Sequence, residues 1–412
     1  MRLISVETGR SPDRPQNARI TGVAASKAGQ RFEIWGEVDR AFMDALSTSG
    51  NPWLVALLPI AAELGEDIEI DLPTDALLLE GARGISRVWS KWYPDLSPVN
   101  ITAPMKPAAP QPKGKTVAFF SGGVDSYFTI ARRLPGNPFG LPVVGSIDDL
   151  ITVQGFDLAV HDDANFNVLL DGVKRIADEI GINHFVARTN LRANRTPWMR
   201  RWGPLTYGAG LCFIGLLLEN RYDEAVFGSA YPLQSAIPRG CHPMVDPYFS
   251  ASNLRIVHDG ATFTRVEKTH LIGHFPPAMK YLHVCQATGS ANCSRCEKCC
   301  RTMATFDLLG MKDAARELFD WSQYSLERMS RVYMKANDIM YDEIIAAAKD
   351  AGRDDLLDAL FLSRSRSRAR RPAVSLAARL ERIPGIWRVG AKLRQVALRH
   401  FITEGVVSHE QA

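Results

Sequence analysis

Lys115-Thr116-Val117-Ala118-Phe119-Phe120-Ser121-Gly122-Gly123-Val124-Asp125-Ser126 is the stretch whose reading decides the fold. Val117 to Phe120 are four apolar residues in a row, as in a parallel strand buried on both faces. Ser-Gly-Gly-Val-Asp-Ser follows directly, and Tyr127 to Leu134 then has the apolar spacing of a helix that Pro135-Gly136 ends. A strand, a tight glycine turn and a helix N-terminus aim several backbone N–H groups at one spot. The helix dipole adds positive character there, so the spot favours a phosphate or pyrophosphate. Gly122 and Gly123 admit a phosphate close to the main chain. Ser121 and Ser126 offer hydroxyl donors, and Asp125 is placed to hold Mg²⁺ between phosphates. The loop is not a Walker A motif: no G-x-x-x-x-G-K-[ST] occurs in the chain, and Gly385 to Lys392 lacks both the adjacent lysine and a preceding strand.

Working outward, strands and helices alternate from 114 to about 310. Leu150 to Val153 reads as a second strand, Asn165 to Ile180 as a helix and His184 to Ala187 as a third strand. Leu205 to Leu218 reads as a helix, and Ala225 to Phe227 as a fourth strand. The order predicts an α/β fold with a doubly wound parallel sheet and right-handed crossovers. Ligands in such sheets sit beyond the carboxyl ends of the strands. That rim holds the Ser-Gly-Gly loop, Gly155-Phe156-Asp157, Thr189-Asn190 and Gly228-Ser229. The last three also fit ordinary strand-to-helix turns.

Cys285, Cys293, Cys296 and Cys299 form C-x7-C-x2-C-x2-C, with Cys300 next. Overlapping C-x-x-C steps plus a fourth thiol make the ligand set of a closed structural zinc site. Arg295, Lys298 and Arg301 would partly neutralise it. An iron–sulfur cluster also takes four cysteines, although at other spacings.

The Ser-Gly-Gly-Val-Asp-Ser loop after an apolar strand resembles the PP-loop of the N-type ATP pyrophosphatases, which split ATP into AMP and pyrophosphate while adenylating an acceptor. With the four cysteines near the end of the same domain, the chain resembles the 7-cyano-7-deazaguanine synthases of the queuosine pathway. Those enzymes use ATP and ammonia to turn a carboxylate into an amide and then a nitrile. The resemblance covers about 114–310. It implies ATP on Phe119, Ser121, Gly122, Gly123, Val124, Asp125 and Ser126, with Gly155 and Phe156 beside it, and structural zinc on the four cysteines. It also implies a basic residue near the α-phosphate, for which Arg265 and Lys268 are the choices; the alternative is an ion pair with Glu267. The extra N- and C-terminal regions depart from that family, and its purine-analogue pocket has no residue-by-residue match here.

The acceptor region falls in the polar, proline-broken run 239–268. Arg239, His242 and Asp246 there, with Asn190 from the rim, are the substrate-binding choices. His242 with Asp246 fits a base and its orienter, or a hydrogen-bonded structural pair. Cys212 lies in an apolar helix and reads as core. Cys241 is the residue an RNA-thiolating PP-loop enzyme would need.

The flanks carry less chemistry. Residues 1–113 read as a small α/β domain: a hairpin over Arg19–Ala25 and Arg31–Val38, helices over Trp53–Leu64 and Ala76–Trp92, a strand over Asp67–Leu72, and a proline-rich linker. Residues 311–412 read as a helical extension. After Cys300 helices are expected over Ala304–Leu309, Ala314–Trp321, Leu326–Met340 and Glu343–Ala348, then a basic linker over 363–371 and a basic amphipathic tail. Net charge is +4, yet residues 364–412 hold eleven Lys/Arg against three Asp/Glu, so the rest is mildly acidic. The tail suits a protein, RNA or membrane surface. The start lacks the apolar core of a signal peptide, and seven cysteines, four of them clustered, argue for metal rather than disulfides, so a cytoplasmic protein is expected.

Together these readings predict a C–N bond-forming ligase with ATP, Mg²⁺ and Zn²⁺, a small-molecule acceptor, and ammonia or an amine as donor. RNA thiolation and a non-catalytic ATP-sensing scaffold are the alternatives.

Overall fold

The computed structural model describes the chain except residues 107–111, 194–196, 286–290, 382, 384 and 404–412, and the side chain of Pro197. The chain forms two compact units. One holds Met1–Ser121 and Phe128–Thr262; the other holds Gly122–Tyr127 and the chain from Phe263 onward.

In chain order the strands are β1 (Arg2–Arg10), β2 (Asn17–Ala25), β3 (Arg31–Asp39), β4 (Ile68–Glu69), β5 (Thr74–Asp75) and β6 (Ile101–Thr102). They continue with β7 (Met105–Lys106), β8 (Thr116–Phe119), β9 (Asp149–Gln154), β10 (Asn183–Thr189), β11 (Glu224–Gly228) and β12 (Arg255–Asp259). Ten of them make one sheet in the first unit, ordered β12-β11-β8-β9-β10-β3-β2-β1-β4-β6, while β5 pairs with β7. The block β12-β11-β8-β9-β10 is wholly parallel. Its strand order reverses beside β8, where open α/β sheets bind ligands. The apolar runs read as buried strands are buried, Val117, Ala118, Ile151 and Val226 among them. Asp162 caps the helix Asp163–Ile180, and Gly181 ends it at φ +69°.

The expected boundary near 113 is not a break between units. β3 pairs antiparallel with β10, so the N-terminal meander extends the parallel block. Asn190 tightens this seam: Trp35 N–H donates to its Oδ1 (2.9 Å), and its Nδ2 donates to the Glu33 carbonyl (3.0 Å). The buried Glu219 carboxylate accepts from Ser47, Ser49 and Asn51 at 2.5, 2.6 and 2.7 Å. Proline removes ladder donors, and among its described residues the proline-rich segment contributes only the two-residue strands β6 and β7. The strand expected over Asp67–Leu72 is likewise two residues long, and β1 and β12 were not anticipated.

In the second unit, helices Arg265–Ile272, Glu297–Leu308, Ile339–Asp350 and Asp354–Leu380 enclose a core that includes Ala304, Met329, Tyr341, Ile344 and Leu360. Ala314–Trp321 is not the expected helix but has only the short 3₁₀ turn Arg316–Leu318, with a second turn at Trp321–Gln323. Leu326–Met340 is not one helix either: it stops at Met329, and Asn337 sits at φ +52°. Residues 363–371 are not a linker; they lie inside Asp354–Leu380. Ser363 and Ser367 fall four apart on the buried face, where Ser363 donates to the Val332 carbonyl and Met334 N–H donates to Ser367 Oγ (3.0 Å). Of the arginines between them, Arg364 turns onto Asp342, and Arg366 donates to the Ser330 carbonyl (3.1 Å) and hydroxyl (3.0 Å). No described helix is long and apolar enough to cross a membrane.

Asn190→Ala leaves the buried Trp35 N–H without its acceptor. We expect a loss of about 2 kcal/mol, read as a lower urea midpoint at unchanged m-value.

Candidate functional site

The segment Gly122–Tyr127 is built tightly. Gly122 takes φ +74°, a conformation side chains disfavour, and its carbonyl accepts from His283 N–H at 2.9 Å. The helix Val124–Ala131 begins three residues earlier than expected, which puts Asp125 in its first turn. The Ser126 hydroxyl donates to the Gly123 carbonyl (2.9 Å), an intrahelical role in place of the expected donation outward. Val124 is buried, and Gly123 accepts from Tyr127 N–H at 3.0 Å.

Asp125 meets both basic residues singled out from the sequence. Arg265 pairs with its Oδ2, and Lys268 Nζ lies 3.5 Å from its Oδ1. The helix Arg265–Ile272 explains the meeting. Residues three apart share one face, and Glu267 is engaged elsewhere, closing a capping box with Thr264. The ion pair with Glu267 is therefore not formed. Lys268 is 1% exposed, so its charge is held almost out of water. A further acid joins the cluster: Arg265 N–H donates to Glu343 Oε2 at 2.7 Å. Burial raises the Glu343 carboxyl from its ordinary 4.5 to about 7, against the pull of the Arg265 N–H, Arg265 and Lys268. Glu343 lies 78 residues from Arg265, and no local spacing could have announced it.

The remaining rim residues lie in the first unit. Ser121 is exposed, two residues past the end of β8. Phe119 is a buried ring set edge-on to Phe227 at 6.1 Å. Gly155 takes φ +104°, and a Cβ there would stand 2.0 Å from the Thr189 carbonyl oxygen, so only glycine fits the turn. Phe156 packs on Trp202 (4.9 Å). Asn190 is spent on the β3–β10 seam. Arg239 stacks over Tyr231 (4.6 Å) and bonds its hydroxyl.

His242 and Asp246 are not a base with its orienter. The His242 ring accepts from Met244 N–H at Nδ1 (3.1 Å) and lies on Trp92; only its backbone N–H reaches Asp246 Oδ2 (2.9 Å). Burial lowers its pKa, opposed by Asp246 and helped by His258. The imidazole that does meet Asp246 is His258 on β12, Nδ1 to Oδ2 2.9 Å.

The four cysteines converge in the second unit. Sγ atoms of Cys285 and Cys296 lie 3.7 Å apart, those of Cys293 and Cys299 3.8 Å, and all four fall within 4.8 Å of one another. A tetrahedron of Zn–S bonds near 2.3 Å has edges of about 3.8 Å. The thiols can thus hold a metal ion such as zinc. Ser294 turns the knuckle at φ +57°, and Cys296 N–H donates to Cys293 Sγ (3.3 Å). Three of these thiols titrate against one another: contact with Cys296 and Cys299 holds Cys285 far below the ordinary range, while contact with Cys285 pushes Cys296 up to about 12 and Cys299 higher still. Of the expected basic neighbours, Arg301 is tied to Glu297 (2.9 Å). Cys300 instead donates to the Arg295 carbonyl (3.6 Å).

Comparison with protein-family models, with curated proteins and with solved structures finds no match to this chain.

Two outcomes are expected. Cys299→Ser, or chelation, destabilises the unit containing Glu297–Leu308 by at least about 3 kcal/mol, measured by thermal or urea unfolding with metal analysis. For Glu343, the native state binds more protons than the unfolded chain between pH 4.5 and about 7, so its contribution falls as pH rises through that window. Glu343→Gln therefore gains stability relative to wild type between pH 4.5 and 7 and holds that gain above it, as denaturation at stepped pH would show.

Proposed function

We propose that the chain is an ATP-dependent ligase of the PP-loop type, resembling 7-cyano-7-deazaguanine synthase. It binds ATP on the loop from Ser121 to Ser126 and adenylates a carboxylate- or amide-type acceptor. Ammonia or an amine then displaces AMP, leaving an amide or, after a second activation, a nitrile. The observation that carries the reading is the Asp125–Arg265–Lys268 cluster at the start of the helix Val124–Ala131.

The chemistry needs groups of this kind. The acceptor oxygen attacks the α-phosphorus, the bond to the bridging oxygen breaks, and pyrophosphate leaves with added negative charge. Arg265 and Lys268 are cations fixed on one helix face, which suits stabilisation of that charge at little reorganisation cost. Asp125 occupies both of them and would exchange them for phosphate oxygens. Mg²⁺, when bound, supplies charge neutralisation between phosphates, and the Asp125 carboxylate is the group to hold it. The burial of Lys268 keeps water from screening its charge. Glu343, half protonated near neutral pH, leaves the cluster with surplus positive charge.

RNA thiolation is the less favoured reading. It asks for a reactive thiol outside the metal set, and burial raises the pKa of Cys212, Cys241 and Cys300 alike.

The test is pyrophosphate release from Mg-ATP by zinc-replete protein, with and without 7-carboxy-7-deazaguanine plus ammonium, and with other carboxylates. Release is expected, reduced about 100-fold or more in Asp125→Ala. Tight ATP binding without release for any acceptor would overturn the ligase and favour an ATP-sensing scaffold.

A further inference from the structure

Within the first unit, Cys241, Asp246 and His258 bring a thiol, a carboxylate oxygen and an imidazole nitrogen within 4.8 Å of one another. His258 Nδ1 lies 2.9 Å from Asp246 Oδ2 and 3.9 Å from Cys241 Sγ. We propose that these three side chains bind a second divalent cation of borderline softness, zinc foremost, separate from the four-cysteine site.

The geometry separates this reading from its two rivals. A Cys–His–Asp relay places the imidazole between its partners, with one nitrogen facing each. Here the thiol and the carboxylate face the same nitrogen, and Nε2 is buried with no partner among the described residues. Three donors converging on one point are a coordination set rather than a relay. A plain buried Asp–His hydrogen bond accounts for less. Asp246 is fully buried, yet its Oδ1 has no partner among the described residues. Other buried acids of this unit are better served: Glu219 has three side-chain donors, and Glu37 pairs with Arg19 at 2.9 Å. No described Lys or Arg pairs with Asp246. A thiolate, a carboxylate and a neutral imidazole carry two negative charges, which a divalent cation cancels, and so suit burial.

The backbone holds the donors in place without help from a ligand. Gly208 N–H donates to the Gly240 carbonyl (2.6 Å), fixing the residue before Cys241 against the first turn of the helix Tyr207–Leu217. A Cβ on Gly208 would stand 2.5 Å from Asp246 Oδ1, so glycine is what lets the carboxylate approach. His258 is set by β12, paired with β11 through Phe227. Tetrahedral zinc sites with mixed N, O and S ligands separate their donors by about 3.3–3.8 Å. Cys241 Sγ and His258 Nδ1 lie 3.9 Å apart, while His258 Nδ1 and Asp246 Oδ2 stand at hydrogen-bond distance, 2.9 Å, and would part by about 0.4 Å for a metal ion to replace the shared proton. Three protein ligands leave a fourth position for water or a substrate atom, the pattern of zinc sites that do chemistry. Thiolate with imidazole selects zinc or cobalt over magnesium or calcium.

The test uses full-length protein stripped by chelator under reducing conditions and reloaded with Zn²⁺ alone. Two zinc ions per chain are expected, falling to one in both Cys241→Ser and Asp246→Asn. One per chain in wild type, or two in wild type and in both variants, overturns the proposal. Because a variant can lose its fold, wild-type protein gives a second readout: alkylation of Cys241, mapped by mass spectrometry, at one equivalent of Zn²⁺ and in excess. Slowing of about tenfold or more in excess zinc supports the site, and equal rates reject it. Neither readout depends on ATP chemistry, so failure here leaves the ligase reading where it stands.

Discussion

Asp125 shared between Arg265 and Lys268 is the interaction on which the candidate site depends. An ion pair at 3.5 Å in a partly buried setting is worth on the order of 5 kcal/mol at an effective dielectric near 20. Removing such ions from water costs several kcal/mol each. The two terms nearly cancel, so the cluster is a poor device for stability. Its worth lies in placing two positive charges on a short helix whose start is fixed by the Thr264–Glu267 capping box. Neutralising Lys268 would leave an apolar stem in the same place and remove the charge that burial makes effective.

How much of this was legible follows from which signals are local. The β8 run and its glycine loop lie within a dozen residues, and the turn and the helix after it follow from them, although that helix starts three residues earlier than its apolar spacing indicates. The cysteine spacing is local too, and it fixed the metal-binding set. Arg265 and Lys268 were singled out because the resemblance asks for a basic residue after the last core strands; that both meet Asp125 follows from the helix Arg265–Ile272, which a proline-broken polar run did not announce. Glu343 and His258 were missed for the opposite reason: each reaches its partner only through packing, and each sits in a segment with an ordinary explanation. The 363–371 run misled because alternating serine and arginine reads as solvated. The buried face is written in Ser363 and Ser367, whose hydroxyls satisfy the Val332 carbonyl and the Met334 N–H.

The seam between β3 and β10 shows the same limit at the level of domains. A proline-rich stretch after a self-contained hairpin looks like a boundary, yet the exposed edge of a parallel block invites another strand. Asn190 was a plausible ligand residue at the carboxyl end of its strand. It instead carries the ladder one residue further with its side chain, giving Trp35 the acceptor and Glu33 the donor that an amide backbone would have given. Rim position alone therefore does not make a polar residue functional; a satisfied hydrogen-bond inventory argues that its capacity is already used.

That criterion sorts the three carboxylates on which the functional reading turns. Asp125 is engaged at both oxygens, by Arg265 and Lys268, whose charges a phosphate can take over. Glu343 has one oxygen bound to a backbone N–H and the other buried without a described partner, and burial answers by raising its pKa so that a proton serves. Asp246 shares the single-oxygen problem without a cation nearby. It has a thiol and an imidazole beside it instead, a donor set that a divalent ion can complete. One chemical group thus meets burial in three ways: by pairing with exchangeable cations, by protonation, and by coordination.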